Sequence, residues 1–112
     1  MKKGEKYENL VLEYLKTSGY KILVRNYRCP EGEIDIVAQE GEDLVFVEVK
    51  GEKENPYTHP AERFDQRKLS RIIACAYKFM ENYGISSAFR IDLITVKGGE
   101  IEHFKNVGFM DL

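Results

Sequence analysis

The stretch GEIDIVAQEGEDLVFVEVKG, residues 32–51, constrains the fold of this chain more than any other. EIDIVAQ (33–39) and LVFVEVK (44–50) read as strands, rich in β-branched and apolar residues, and only Glu40, Gly41, Glu42 and Asp43 lie between them. A glycine at the first central position suits a two-residue type II′ hairpin turn at Gly41-Glu42. That turn sets the register, so Asp35 faces Glu48, Glu33 faces Lys50 and Val37 faces Phe46. Side chains alternate with a period of two, which brings Glu33, Asp35, Glu48 and Lys50 out on one face near one end of the hairpin.

The surrounding pattern supplies the rest of the order. Tyr7, Leu10, Val11, Tyr14 and Leu15 recur at helical spacing and predict a helix over about 4–17, closed by Gly19. YKILVRNYR (20–28) is a first strand ended by the turn-like CPEG. GEKENPYTHP (51–60) has the composition of a flexible loop, and Leu69, Ile72, Ile73, Ala76, Tyr77 and Met80 then form the apolar stripe of a helix over about 61–83. AFRIDLITV (88–96) and EIEHFKN (100–106) are two more strands joined at Gly98-Gly99. The order is α-β-β-β-α-β-β, an α/β arrangement. LVFVEVK is apolar on both faces, so the central sheet is flanked by helices on both sides, with an antiparallel meander first and a helical crossover returning the fourth strand parallel.

Composition excludes several classes. The 112 residues are 43% hydrophobic and 32% charged, without repeat or low-complexity linker, which predicts one domain over 1–112. No apolar run approaches the roughly 20 residues that span a bilayer, and no leader-like segment opens the chain, so a cytoplasmic protein without a membrane partner is expected. Cys29 and Cys75 are too few and too distant for a disulfide framework or a Cys-type zinc site and read as reduced thiols. His59 and His103 read as isolated surface or loop histidines. A net charge of −2 gives no global attraction to nucleic acid, so any such binding rests on local patches.

The opposed acids need a reason. Two carboxylates about 5 Å apart repel by about 3 kcal/mol at an effective dielectric near 20, and like charges across a strand pair destabilise a sheet. A divalent cation reverses the sign, because carboxylates on adjacent strands are the hard oxygen ligands that Mg²⁺ accepts. Lys50 stands one pleat beyond Glu48. Glu8 falls at the flank of the first helix's apolar stripe, where it can reach over the sheet edge. Without a metal, the same residues read as a solvated strand end in which Lys50 pairs with Glu33.

GEKYENLVLEYLKTSGYKILVRNYR, GEIDIVAQ, LVFVEVK, RKLSRIIACAYKFM and FRIDLITV, in that order, resemble the YraN-type family of small bacterial predicted nucleases. That family belongs to the PD-(D/E)XK superfamily and is similar to archaeal Holliday-junction resolvases. The resemblance implies a restriction-endonuclease-like fold, metal ligation by Glu8, Asp35 and Glu48 around Mg²⁺ or Mn²⁺, and catalysis by Asp35, Glu48 and Lys50. It implies an endonuclease acting on phosphodiesters of nucleic acid, DNA and branched DNA in particular, and a homodimer. Gln66 matches a polar helix position that assists in related nucleases. Arg63, Arg67 and Arg71 recur at i, i+4 and i+8 on the long helix and are candidate phosphate contacts, or else a solvated face. The rival readings are a non-catalytic nucleic-acid-binding domain that keeps the fold, and a protein-interaction module presenting Tyr57, Phe104 and Phe109.

Overall fold

A computed structural model describes residues 3–51 and 64–109. Helix α1 (Lys3–Thr17) precedes strands β1 (Lys21–Cys29), β2 (Gly32–Glu40) and β3 (Asp43–Gly51); helix α2 (Gln66–Asn82) leads to β4 (Phe89–Lys97), β5 (Glu100–Phe104) and a short 3₁₀ turn at Val107–Phe109. The five strands form one mixed sheet in the order β1-β2-β3-β4-β5, antiparallel except for the parallel pair β3 and β4. No helix of the described residues is long and apolar enough to cross a membrane.

Each face of the sheet has its own core. Val45, Val47, Ile94 and Val96 meet Val11 and Leu15 of α1, whereas Leu44, Phe46, Ile91 and Leu93 meet Leu69, Ile72, Ala76 and Phe79 of α2. Phe46 is fully buried and takes edge contacts from Phe79 and Phe89. Two buried faces explain why LVFVEVK shows no polar alternation until Glu48.

Several expectations need correction. The long helix begins at Gln66, because the Asp65 side chain accepts the Lys68 N–H at 3.1 Å and caps it there. The residues expected to open it, 61–63, lie outside the described residues, as do His59 and the rest of the loop 52–60. β5 stops at Phe104, since Asn106 turns left-handed (φ 62) and donates its N–H to Asp92 Oδ1 at 2.9 Å. Cys29 and Cys75 are joined in a disulfide, with Cα atoms 5.6 Å apart. Their separation of 46 residues in sequence concealed that the end of β1 lies against the middle of α2.

His103 is also not a surface histidine: its side chain is only 7% exposed. Nε2 lies 2.7 Å from the fully buried Asp92, and Nδ1 lies 2.9 Å from the Tyr14 hydroxyl on α1. Arg90 completes the group by donating to Asp92, Tyr20 and Glu40. Burial pushes the Asp92 carboxyl upward, but the bonds from His103, Arg90 and the Asn106 N–H outweigh it and hold the group below the usual range. A buried charge is tolerable only with such partners.

Gly51 fixes α1 against β3. A Cβ at this position would run into the Tyr7 ring, so only glycine lets the first turns of α1 lie over the end of β3. Gly51→Ala should therefore push Tyr7 outward and cost about 1–3 kcal/mol, the usual range for overpacking. Urea denaturation checks this, and a variant as stable as wild type would show that Tyr7 packing does not depend on the glycine.

Candidate metal and phosphate site

The hairpin turn forms as the sequence predicts. Gly41 has φ 60 while Glu42 stays outside the left-handed region, and the ladder runs Glu40↔Asp43, Gln39↔Leu44, Ala38↔Val45, Val37↔Phe46 and Ile36↔Val47. It goes no further. From Asp35 outward β2 pairs only with β1, and from Glu48 outward β3 pairs only with β4. The sheet divides into two halves at this point.

Asp35 sits in the crotch of the fork. Its Oδ2 accepts the Val49 N–H at 2.8 Å, so a side chain takes the place that a β2 carbonyl would occupy. The pleat is interrupted at the same residue, since Ile34 packs on the α2 side and Ile36 on the α1 side. Across β1, Asn26 adopts φ 53 between the pairs Arg25↔Ile36 and Tyr27↔Ile34. Its amide nitrogen, turned inward, donates to Glu33 at 3.0 Å and to Glu8 at 3.1 Å.

The expected residues meet there. Glu8, Asp35, Glu48 and Lys50, with Tyr7 and Gly51, line a cavity of about 130 Å³. Glu48 is pushed up to about 9, first by burial and then by its hydrogen bond and charge contact with Asp35. Glu8 rises to about 7, again through burial first and then through Asp35 and Glu33. The proton that Glu48 keeps is what lets two carboxyl groups touch. Among the described residues no set of three carboxylate, imidazole or thiol groups forms a ready-made metal cage. The donors are nonetheless hard oxygens, and a cation would replace the proton between Asp35 and Glu48.

Glu33 does not face Lys50. The fork separates them, and Glu33 pairs with Arg28 at 3.2 Å on the β1 side. Lys50 turns instead toward Lys68, a residue of α2 that the arginine stripe passed over. Lys68 is drawn down to about 8, chiefly by its hydrogen-bonding contact with Lys50 and next by burial. Arg71 joins them around a second cavity, of about 210 Å³, whose wall includes Glu48 and Lys50. Arg67 is 85% exposed and reaches back to Asp65 at 4.0 Å, and Gln66 is exposed in the first turn of α2. Arg63 lies outside the described residues.

Asn26 and Lys68 were the site residues missed by sequence reasoning. Lys68 was findable, because it precedes the buried Leu69 by one residue and Ile72 by four, at the flank of the stripe that must meet the sheet. For Asn26 the only signal was its residue type, since Asn is among the few residues that tolerate a left-handed backbone.

These raised carboxyls fix the sign of a pH effect. A group whose folded pKa lies above its unfolded value lends stability fully below the unfolded pKa, near 4.5, and loses it as pH rises through the folded value. Metal-free protein should accordingly melt at progressively lower temperature from pH 5 to 8, above which Lys68, drawn down to about 8, acts in the opposite sense. Glu48→Gln should flatten that slope, and a wild-type midpoint constant or rising over this interval would contradict the assignment. Glu31, Glu40, Asp65 and Asp92 are lowered and act in the opposite sense on the acid side.

Comparison with known proteins places this geometry in a family. The profile described as "Uncharacterised protein family UPF0102" matches residues 7–96, from the first turns of α1 through β4 and so across the whole fork. A UPF0102 protein of Kosmotoga olearia is 46% identical over 110 residues, covering 96% of this chain and 94% of the relative. One from Aquifex aeolicus is 42% identical, covering 95% and 96%, and one from Thermotoga neapolitana is 40% identical, covering 89% and 92%. The chain belongs to the UPF0102 family.

Proposed function

We propose that the fork is the active site of a metal-dependent nuclease that hydrolyses phosphodiester bonds in nucleic acid, on a restriction-endonuclease-like fold. The observation that carries this reading is the contact of Asp35 with Glu48 at the one place where the central strands part, with Glu8 and Lys50 on the same cavity wall. A structural role does not need two touching carboxyls backed by a third. Their chemistry suits Mg²⁺ or Mn²⁺, with Asp35 and Glu48 as the inner donors, Glu8 reaching in from α1 and the Val49 carbonyl available beside them.

When bound, such an ion would stabilise negative charge on the phosphate and lower the pKa of a bound water. Asp35 is already oriented, because the Val49 N–H holds its Oδ2. Asn26 fixes Glu8 by the same logic. Lys50 carries the cation that neutralises charge building on the attacked phosphate. It is not assigned as general base, a role that would require it to be neutral. The protein-interaction reading is weakened by Phe104, which packs against the α2-side core. Tyr57 lies outside the described residues.

The test is a panel of labelled branched, duplex and single-stranded substrates incubated with Mn²⁺, with Mg²⁺ and with EDTA. Cleavage should require metal, and Glu48→Gln and Lys50→Ala should each reduce it by at least about 10²-fold, the cost of losing one electrostatic group at such a site. Metal-independent cleavage, or full activity in both variants, would reject the proposal.

A further inference from the structure

The second cavity lies on the other side of the wall formed by Glu48 and Lys50, between the 31–33 segment and α2. Its acids and bases are arranged differently. Glu31 is already paired outward to Lys78 at 2.6 Å, and Glu33 to Arg28 at 3.2 Å. Lys50, Lys68 and Arg71 have no such carboxylate partners in ion-pair range among the described residues. The Arg71 stem lies beside Gly32, its Cβ 3.6 Å from where a Cβ at that glycine would stand. The amino groups of Lys50 and Lys68 come within hydrogen-bonding range of each other.

Two amino groups brought together beside a guanidinium are the mirror image of the touching carboxyls across the wall. Packing does not require them. An anion that accepts from all three would remove the repulsion, and tetrahedral phosphate oxygens match a guanidinium fork flanked by ammonium donors. A volume of about 210 Å³ leaves room for such a group.

We infer that Lys68 and Arg71, together with Lys50, form a phosphate subsite that holds the sugar-phosphate backbone next to the bond presented to the acidic cavity. The inference rests on the nuclease reading above and adds residue identities to it. The phosphate is gripped by the flank of α2 that faces the sheet, with Lys68 in the principal place. Lys68 and Arg71 are positioning residues, which set where the strand lies relative to Asp35 and Glu48.

The experiment measures binding of a fluorescently labelled DNA duplex by anisotropy, in EDTA at pH 6, as salt is varied. At this pH Glu48 and Glu8, raised to about 9 and about 7, are largely protonated, so the acidic cavity does not repel the probe. Lys68→Gln/Arg71→Gln should lower the logarithmic salt slope by up to about 1.8, two contacts at about 0.9 each. Lys68→Arg/Arg71→Lys should keep the slope, and so should Lys16→Gln/Lys21→Gln, a charge-matched control at the end of α1 and the start of β1. A parallel Mn²⁺ cleavage assay of the wild type separates the two claims. Binding with the predicted loss of slope but no cleavage supports the subsite and rejects the nuclease reading. Cleavage with an unchanged slope overturns the subsite alone. Wild-type protein that does not bind the probe overturns the subsite, and the nuclease reading too if it also fails to cleave.

Discussion

The hydrogen bond from the Val49 N–H to Asp35 Oδ2 decides what this sheet can do. Backbone donors inside a sheet must be satisfied, and the usual partner of a β3 N–H is a β2 carbonyl. Here a carboxylate supplies the acceptor at 2.8 Å. β2 and β3 can then separate without leaving that donor unpaired. The opening admits polar side chains to the end of β3, whose positions from Leu44 to Val47 are apolar on both faces. A carboxylate at this point is therefore a structural acceptor and, on the proposed reading, a site residue as well.

The rest of the molecule holds the two halves of the fork at a fixed separation. On one face, α1 is seated by Tyr7 over Gly51 and by Tyr14 against His103, which carries Glu8 to the opening. On the other, the Cys29–Cys75 disulfide and the Lys78–Glu31 pair tie α2 to the turn between β1 and β2, which carries Lys68 and Arg71. The exposed ion pair contributes little, because solvent screens it. The larger contributions are the two apolar layers, each with fully buried members of the central strands. Burial on both sides also explains the high pKa values of Glu48 and Glu8, since the same packing that builds the opening removes water from it.

Local chemistry in the sequence was enough for the elements and for one half of the site. The Gly41-Glu42 turn fixed a register that the ladder follows through Ile36↔Val47 and that ends one step short of the expected pairing of Asp35 with Glu48, which touch across the fork instead. Glu33 and Lys50, one pleat further, do not meet. A hairpin register extrapolates only while the pleat continues, and the pleat breaks where Asn26 turns left-handed opposite Asp35. The other misses share a cause: they depend on which elements become neighbours. His103 looked isolated because Asp92 and Tyr14 reach it from other elements, and Cys29 looked unpaired because Cys75 reaches it across the α2 interface. Periodicity found Leu69, Ile72 and Ala76 of the apolar face of α2 but included the exposed Tyr77, passed over the buried Cys75 and Phe79, and directed attention to Arg67 rather than to Lys68.

The central claim is that the proton shared by Asp35 and Glu48 occupies the place of a divalent cation. Isothermal titration of Mn²⁺ into the protein at pH 7, in buffers of different ionisation enthalpy, counts the protons released on binding. The account predicts release of at least about one proton per ion bound in the wild type, since at that pH Glu48 is protonated and Glu8, raised to about 7, is partly so, and about one proton fewer in Glu48→Gln. Binding that releases no proton from the wild type, or no binding at all, would contradict it.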